Sequence, residues 1–281
     1  MTPPESMPDE VARALAEDIG NGDVTADLIP AERQAKAQLI TREAMVLAGS
    51  PYMQETFRQL DPNVDIQWHA SEGDTLEPGA CIATCVGPAR ALLTGERTAL
   101  NFVQCLSAVA TKTRALAHLL NGTPAALFDT RKTLPGLRMA QKYAVRIGGG
   151  MNHRIGLFDQ VLIKENHIAA AGGLTEAVQA AKRLHPDLKI QVEVETMQEL
   201  FEAFEAEPDI IMLDNFDCEG LKFAVQERNS QGLMAIELEA SGGITADNLA
   251  AIGATGVDRI SLGTLTKDIS AIDLSMRVEL S

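Results

Sequence analysis

Hydrophobic positions follow two rhythms along the chain, and the change comes near Ala125. Before it the pattern is mixed. V-A-R-A-L-A-E-D-I-G (11–20) carries apolar residues at helical spacing and predicts a helix that stops at Gly20. Q-A-K-A-Q-L-I-T-R-E-A-M-V-L-A-G (34–49) alternates in places and predicts strand. Asp65 to Gly87, with turns at E-G-D and E-P-G, predicts short strands. The stretch T-G-E-R-T-A-L-N-F-V-Q-C-L-S-A-V-A-T-K-T-R-A-L-A-H-L-L (94–120) predicts one long, largely apolar helix. Thr94 is its expected N-cap and Gly122 its stop. Such a face suits a domain junction or an oligomer interface.

From Ala125 short apolar runs recur with helical segments between them. They are A-A-L-F (125–128), Q-V-L-I (160–163), K-I-Q-V-E-V (189–194), I-I-M-L (210–213), A-I-E-L-E-A (235–240) and R-I-S-L (259–262). Strands alternating with helices predict βα units and a parallel sheet. Each run ends in polar residues that a sheet core does not need. In order these are Asp129-Thr130-Arg131, Lys164, Glu195, Asp214-Asn215, Ser241-Gly242-Gly243 and Gly263-Thr264. An α/β barrel binds ligands at the C-terminal ends of its strands. Six readable strands fall short of eight, so the barrel is incomplete or strands are missed. An open doubly wound sheet competes, but no G-x-G-x-x-G follows the first strand.

Composition narrows the class. The chain has 281 residues, 46% hydrophobic and 22% charged, as in a soluble globular protein of one large or two modest domains. A pI near 4.7 disfavours nucleic acid and anionic membrane as main partners. Cys81, Cys85, Cys105 and Cys218 form no C-x-x-C pair and read as reduced thiols in a cytoplasmic protein. The start, M-T-P-P-E-S-M-P-D-E, does not read as a signal peptide, and no apolar run of about 18 residues predicts a membrane span.

Charge then changes the picture. The net charge is −15, yet Asp129 to His167 holds 7 Lys/Arg against 3 Asp/Glu, and the remainder 17 against 36. A small, highly anionic ligand is the usual physical reason for such a reversal. Arg131-Lys132 and His153-Arg154 sit in loops rich in Gly, Asn and Thr, as a binding site would. Arg138, Lys142 and Arg146, four apart on one predicted helix, read instead as a solvated face.

Three further groups carry chemistry. Glu193 and Glu195 share one face of their strand, and Asp214 ends the next. Carboxylates there suit Mg²⁺ carried in with a phosphate, or else an ion pair with Lys164 at the barrel rim. S-G-G-I and S-L-G-T at the last two strands suit a phosphate, because glycines let backbone N–H groups approach. Arg97 is expected in the first turn of the long helix, where a cation opposes the dipole and calls for an anion or a pairing with Glu96. Lys164 could alternatively form a Schiff base, as in barrel aldolases.

These motifs together resemble the quinolinate phosphoribosyltransferases, the carboxylating nicotinate-nucleotide pyrophosphorylases. The resemblance runs along nearly the whole chain. It rests on E-D-I-G-N-G-D-V-T-A-D-L-I-P, G-E-R-T-A-L-N-F, T-R-K-T-L-P-G-L-R, N-H-R-I-G-L, V-L-I-K-E-N-H-I, V-E-V-E, M-L-D-N-F, E-A-S-G-G-I and I-S-L-G. It implies an N-terminal α/β sandwich domain over 1–107, to which 266–281 returns, and a C-terminal incomplete α/β (TIM-like) barrel over 108–265. It implies that quinolinate and phosphoribosyl pyrophosphate become nicotinate mononucleotide, pyrophosphate and CO₂, with Mg²⁺, in NAD biosynthesis.

Carried over by residue, Arg131, His153, Arg154 and Lys164 resemble the quinolinate site. Arg97 resembles an arginine lent across a homodimer or higher even oligomer. Lys132, Glu195, Asp214, Ser241, Gly242, Gly243 and Gly263 resemble the phosphoribosyl pyrophosphate site, with Lys164, Glu195 and Asp214 as the catalytic groups. A non-decarboxylating nicotinate phosphoribosyltransferase, a Lys164 aldolase and a non-catalytic binding protein are the competing readings.

Overall fold

The structure is a computed structural model and describes residues 2–280. In chain order its first elements are α1 (Met7–Ile19), β1 (Gln34–Thr41), β2 (Met45–Val46), α2 (Ser50–Leu60), β3 (Asp65–Trp68), β4 (Thr75–Leu76), β5 (Cys81–Pro88) and α3 (Ala89–His118). Next come β6 (Ala126–Phe128), α4 (Arg138–Ile147), β7 (Val161–Ile163), α5 (Glu165–Ala171), α6 (Leu174–Leu184), β8 (Ile190–Val194) and α7 (Met197–Ala206). The last are β9 (Ile210–Asp214), α8 (Cys218–Ser230), β10 (Glu237–Ser241), α9 (Ala246–Gly253), β11 (Arg259–Ser261), α10 (Thr264–Lys267) and β12 (Leu274–Leu280).

The chain divides into two compact units. One holds the residues up to Arg114, Thr133–Gly149 and the chain from Thr264 on; the other holds Ala115–Lys132 and Gly150–Gly263.

The first unit is built on a four-stranded antiparallel sheet in the order β12-β1-β5-β3. Along β1 burial alternates, so Ala35, Ala37, Leu39 and Thr41 point inward and the lysine and glutamine between them point out. Ala35, Ala37 and Leu39 join Met53, Phe57, Ile82, Leu92, Leu100 and Val103 in one apolar core. Phe57 is about 1% exposed, and truncating it to Ala should cost about 3–5 kcal/mol. The chain returns late: β12 pairs with β1 from Ala35↔Leu280 to Thr41↔Leu274.

Helix α3 begins at Ala89, directly after β5, and not at Thr94. Thr94 is inside the helix, and its Oγ1 donates to Asp23 Oδ2 at 2.7 Å. The run A-R-A-L-L is itself a strong helix former, which is why the helix starts before its most cap-like residue. Arg97 therefore lies beyond the first turn, and the dipole argument for it does not hold. Lys142 also departs from expectation. It is 2% exposed, so α4 does not present Arg138, Lys142 and Arg146 as one solvated face.

In the second unit all six predicted apolar runs are strands. They form one parallel sheet in the order β6-β11-β10-β9-β8-β7. The first strand pairs with the last rather than with the next, which is how a barrel winds. Between the edges β6 and β7 there is no ladder among the described residues, although Met151 bridges Phe128 in parallel. The result is an incomplete α/β barrel. Alternation then assigns the faces. Val192, Val194, Ile211, Leu213, Leu238, Ala240 and Ile260 are buried on one face of their strands. Gln191, Glu193, Met212, Asp214, Glu239, Ser241, Arg259 and Ser261 occupy the other, the barrel interior.

Candidate active site

The interior face opens into a cavity of about 380 Å³ at the C-terminal strand ends, within the size range of small-molecule sites. Its walls include Arg131, Lys132, His153, Arg154, Lys164, Glu193, Asp214, Ser241 and Ser261. A larger cavity of about 440 Å³ lies in the first unit, but Glu10, Glu17 and Asp18 line it against Arg13. That charge has the wrong sign for the anionic ligand expected from the sequence.

The cationic wall is assembled by a buried carboxylate. Asp129 directly follows β6 and is 0% exposed. Its Oδ1 accepts the His153 N–H at 2.8 Å and its Oδ2 accepts from Asn152 Nδ2 at 2.7 Å. Together with the Phe128–Met151 bridge, this fastens the 152–154 segment beside the 130–132 loop. Two sequence-distant basic pairs thereby meet. The consequence is repulsion: Arg154 is held below the ordinary arginine pKa, first by burial and then by the Arg131 charge, with Asp159 opposing. Cations gathered at such a cost are stabilised by an anion between them.

His153 is buried and both its ring nitrogens face protein groups. Nδ1 accepts the Arg154 N–H at 2.8 Å, which puts the ring proton on Nε2, 3.5 Å from Glu239 Oε1.

Opposite stand the carboxylates. Lys164, N-cap of α5, forms an ion pair from Nζ to Glu193 Oε2 at 2.5 Å. Glu195 lies one step further out and is exposed. There the Thr196–Glu199 capping box starts α7, and the Glu195 N–H donates to Glu199 Oε2 at 2.8 Å. Carboxylate oxygens of Glu165, Glu193 and Glu195 lie within 4.8 Å of one another. Asp214 pairs in register with Ser241 across β9 and β10, so carboxylate and hydroxyl are neighbours on one rim.

Two glycine turns close the far side. Gly242 has φ 86° and Gly243 φ 59°, left-handed values that glycine adopts freely. At Gly263 an added Cβ would lie 2.8 Å from Lys132 Cδ and 3.3 Å from Thr130 Oγ1, so a side chain there would push into the cavity wall.

Beneath the cavity lies a layer of buried polar groups. Glu239 Oε2 accepts from Arg259 Nε at 2.9 Å and from Gln191 Nε2 at 3.1 Å. Gln191 Oε1 accepts from Gln160 Nε2 at 2.7 Å. Arg259 also pairs with Glu237 at 2.9 Å and stacks on Phe128, with its guanidinium carbon 3.9 Å from the ring centroid. Burial alone would raise the Glu239 pKa. His153, Arg259 and Ser261 outweigh it and hold that carboxyl below the ordinary value.

Residues 109–277 match the family described as quinolinate phosphoribosyl transferase, C-terminal domain, and residues 23–107 match its N-terminal domain. The chain belongs to the quinolinate phosphoribosyltransferase family. It is 44% identical over 266 residues to a probable nicotinate-nucleotide pyrophosphorylase (carboxylating) of Bacillus subtilis strain 168, covering 94% of this chain and 91% of that one. It is 40% identical over 277 residues, 95% of each chain, to the nicotinate-nucleotide pyrophosphorylase (carboxylating) of Mycobacterium leprae strain TN. The solved nicotinate-nucleotide pyrophosphorylase of Francisella tularensis matches with a TM-score of 0.93 and 47% identity, over 99% of this chain and 98% of that one.

Of the residues singled out from sequence in this family member, Arg131, Lys132, His153, Arg154, Lys164, Asp214 and Ser241 line one cavity. Gly242, Gly243 and Gly263 are in the turns beside Ser241 and Lys132. Glu195 is at the rim, while Glu193 takes the cavity position on the same strand. Arg97 is exposed on α3 in the first unit and is not among the cavity walls. Sequence reasoning missed Gln191, Glu239 and Arg259. The signal was present: strands of a parallel sheet usually read as continuous apolar runs, and E-L-E-A and R-I-S break that rule every second residue.

Proposed function

We propose that the protein is a quinolinate phosphoribosyltransferase. It converts quinolinate and phosphoribosyl pyrophosphate to nicotinate mononucleotide, pyrophosphate and CO₂, in NAD biosynthesis. The observation that carries this is the Arg131–Arg154 pair, two mutually repelling guanidiniums in a cavity that also holds carboxylates and a Ser-Gly-Gly turn, in a chain of this family.

Each group has a physical role. Arg131, Arg154 and Lys164 neutralise the two carboxylates of quinolinate, and Arg forks fix the ring plane. His153 forms the wall that holds the main chain of Arg154. Lys132 with Ser241, Gly242, Gly243 and Gly263 takes the phosphates. Glu195 and Asp214 offer oxygen donors of the kind Mg²⁺ accepts, so the residues fit that ion; it would neutralise charge on the departing pyrophosphate. The ring nitrogen attacks the ribose C1 as the C1–O bond to pyrophosphate breaks. Glu195 and Asp214 stabilise the oxocarbenium-like centre electrostatically. The ring is then cationic, so the C2–carboxylate bond breaks, its electrons enter the ring, CO₂ leaves and C2 takes a proton. No nucleophilic side chain is needed, because positioning is the main task.

The reading extends to assembly. The cavity has four cations, Arg131, Lys132, Arg154 and Lys164, for two carboxylates and the pyrophosphate substrate, and Arg97 is exposed on α3. We place Arg97 in the site of a second copy, in at least a homodimer. Four free thiols suit a reducing, cytoplasmic setting, and no helix among the described residues is long and apolar enough to cross a membrane.

The Schiff-base alternative has less support, since Lys164 Nζ is engaged by Glu193 Oε2 rather than presented alone to the cavity. The test is incubation of the purified protein with both substrates and Mg²⁺, followed by chromatography. Nicotinate mononucleotide formed from quinolinate supports the reading. Product from nicotinate instead, or a borohydride-trapped phosphosugar on Lys164, overturns it.

A further inference from the structure

The end of β9 is closed by a residue with two attachments. Asn215 follows Asp214 and holds φ at 59°. Among the described non-glycine residues, only Glu207 shares a positive φ. Asparagine tolerates this region better than most side chains. From that backbone the Asn215 N–H donates to the Ser241 carbonyl at 2.9 Å, joining the end of β9 to the end of β10. Its side-chain amide donates to Asp214 Oδ2 at 2.8 Å. The amide lies in space that only glycine leaves free. A Cβ on Gly242 would be 2.2 Å from Asn215 Oδ1 and 2.9 Å from its main-chain nitrogen. One exposed residue therefore touches a cavity carboxylate and the Ser-Gly-Gly turn at once.

We propose that Asn215 is a positioning residue that sets the Asp214 carboxylate against the Ser241–Gly243 turn. The inference rests on the reading of those two groups as the phosphoribosyl pyrophosphate end of the site. The terminal torsion of an aspartate is broad, so a free Asp214 would sample many orientations. An amide on Oδ2 fixes that torsion and leaves Oδ1 for the ribose or the metal-borne phosphate. The Ser241 hydrogen bond and the Gly242 contact then keep the carboxylate and the turn in one register. A purely structural role would make Asn215 only a left-handed strand stop. Glycine separates the two, because it keeps the left-handed backbone and its N–H while deleting the amide.

The experiment compares wild type, Asn215→Gly, Asp214→Asn and the double variant. It measures melting temperature, calorimetric affinity for quinolinate and for phosphoribosyl pyrophosphate with Mg²⁺, and kcat. Asn215→Gly is expected to melt within about 3 °C of wild type. It should bind quinolinate normally, bind phosphoribosyl pyrophosphate more weakly, and lose roughly 10- to 100-fold in kcat. In the Asp214→Asn background the same substitution should cost little more, because the two residues act as one unit. Wild-type phosphoribosyl pyrophosphate affinity and kcat in Asn215→Gly would overturn the inference, as would fully additive losses in the double variant. An inactive wild-type protein would overturn this inference and the functional reading together. An active wild type with an equally active Asn215→Gly would overturn this inference alone.

Discussion

Replacing Arg154 by Met should move binding and stability apart. In the free protein the guanidinium is half-buried, repelled by Arg131 and attracted by Asp159, and these charges partly cancel. Methionine keeps an apolar stem of similar reach, so the ligand-free protein should change by no more than ~0.5 kcal/mol, or about 2 °C in melting temperature. Binding is different, because Arg154 is proposed to donate directly to a quinolinate carboxylate. A lost charge-assisted hydrogen bond costs about 1.5–3 kcal/mol, which raises Kd roughly 10- to 150-fold. The assay is calorimetric titration with quinolinate, paired with thermal melts with and without ligand. The free variant should melt like wild type, and the ligand-induced rise should vanish at concentrations that saturate wild type. A quinolinate Kd within about threefold of wild type would refute the reasoning. So would a ligand-free loss above about 5 °C with the ligand-induced rise intact, since Arg154 would then be structural.

Other consequences can be measured in parallel. Glu193→Gln keeps a partner for Lys164 but removes a negative charge from a cationic cavity; quinolinate should bind as tightly or more tightly, and stability should fall by about 1 kcal/mol or less. Glu239 has a folded-state pKa below its unfolded value, so its stabilisation is present above the unfolded pKa and is lost as pH falls through the folded one. Glu239→Gln, by uncoupling a buried pair, should cost about 3–5 kcal/mol at pH 7, and melts should show a shallower decline below pH ~4.5 than wild type. Arg97→Ala and Arg131→Ala proteins should each be nearly inactive; mixed under subunit exchange, they should recover about a quarter of wild-type turnover, because half the dimers are mixed and each holds one intact site. No recovery despite proven exchange would keep Arg97 in its own chain's site or outside any site.

The six barrel strands were legible because each is a short apolar run between helical segments, and the strand-end residues followed from the same runs. Arg131 and Arg154 stood out because they are basic residues in flexible-looking loops of an acidic chain. What joins them was hidden: Asp129 looks like any strand-end carboxylate until its two hydrogen bonds to the 152–153 segment are seen. Thr94 misled because capping preference is local, whereas the helix began where β5 ended. Lys142 misled because charge spacing reports the period of a helix but not which face is covered. The Glu239–Arg259 layer was readable as a period-two break in apolar strands, yet it also draws in Gln191 and Gln160 from much earlier in the chain, so pairing could not be assigned.

The central claim is that decarboxylation follows bond formation between the quinolinate nitrogen and the ribose. Quinolinate labelled in its 2-carboxylate tests this directly. With phosphoribosyl pyrophosphate and Mg²⁺ present, labelled CO₂ and nicotinate mononucleotide should appear in equal amounts, and neither should form when phosphoribosyl pyrophosphate is withheld. Labelled CO₂ released without phosphoribosyl pyrophosphate, or a nucleotide that retains the label, would contradict the account.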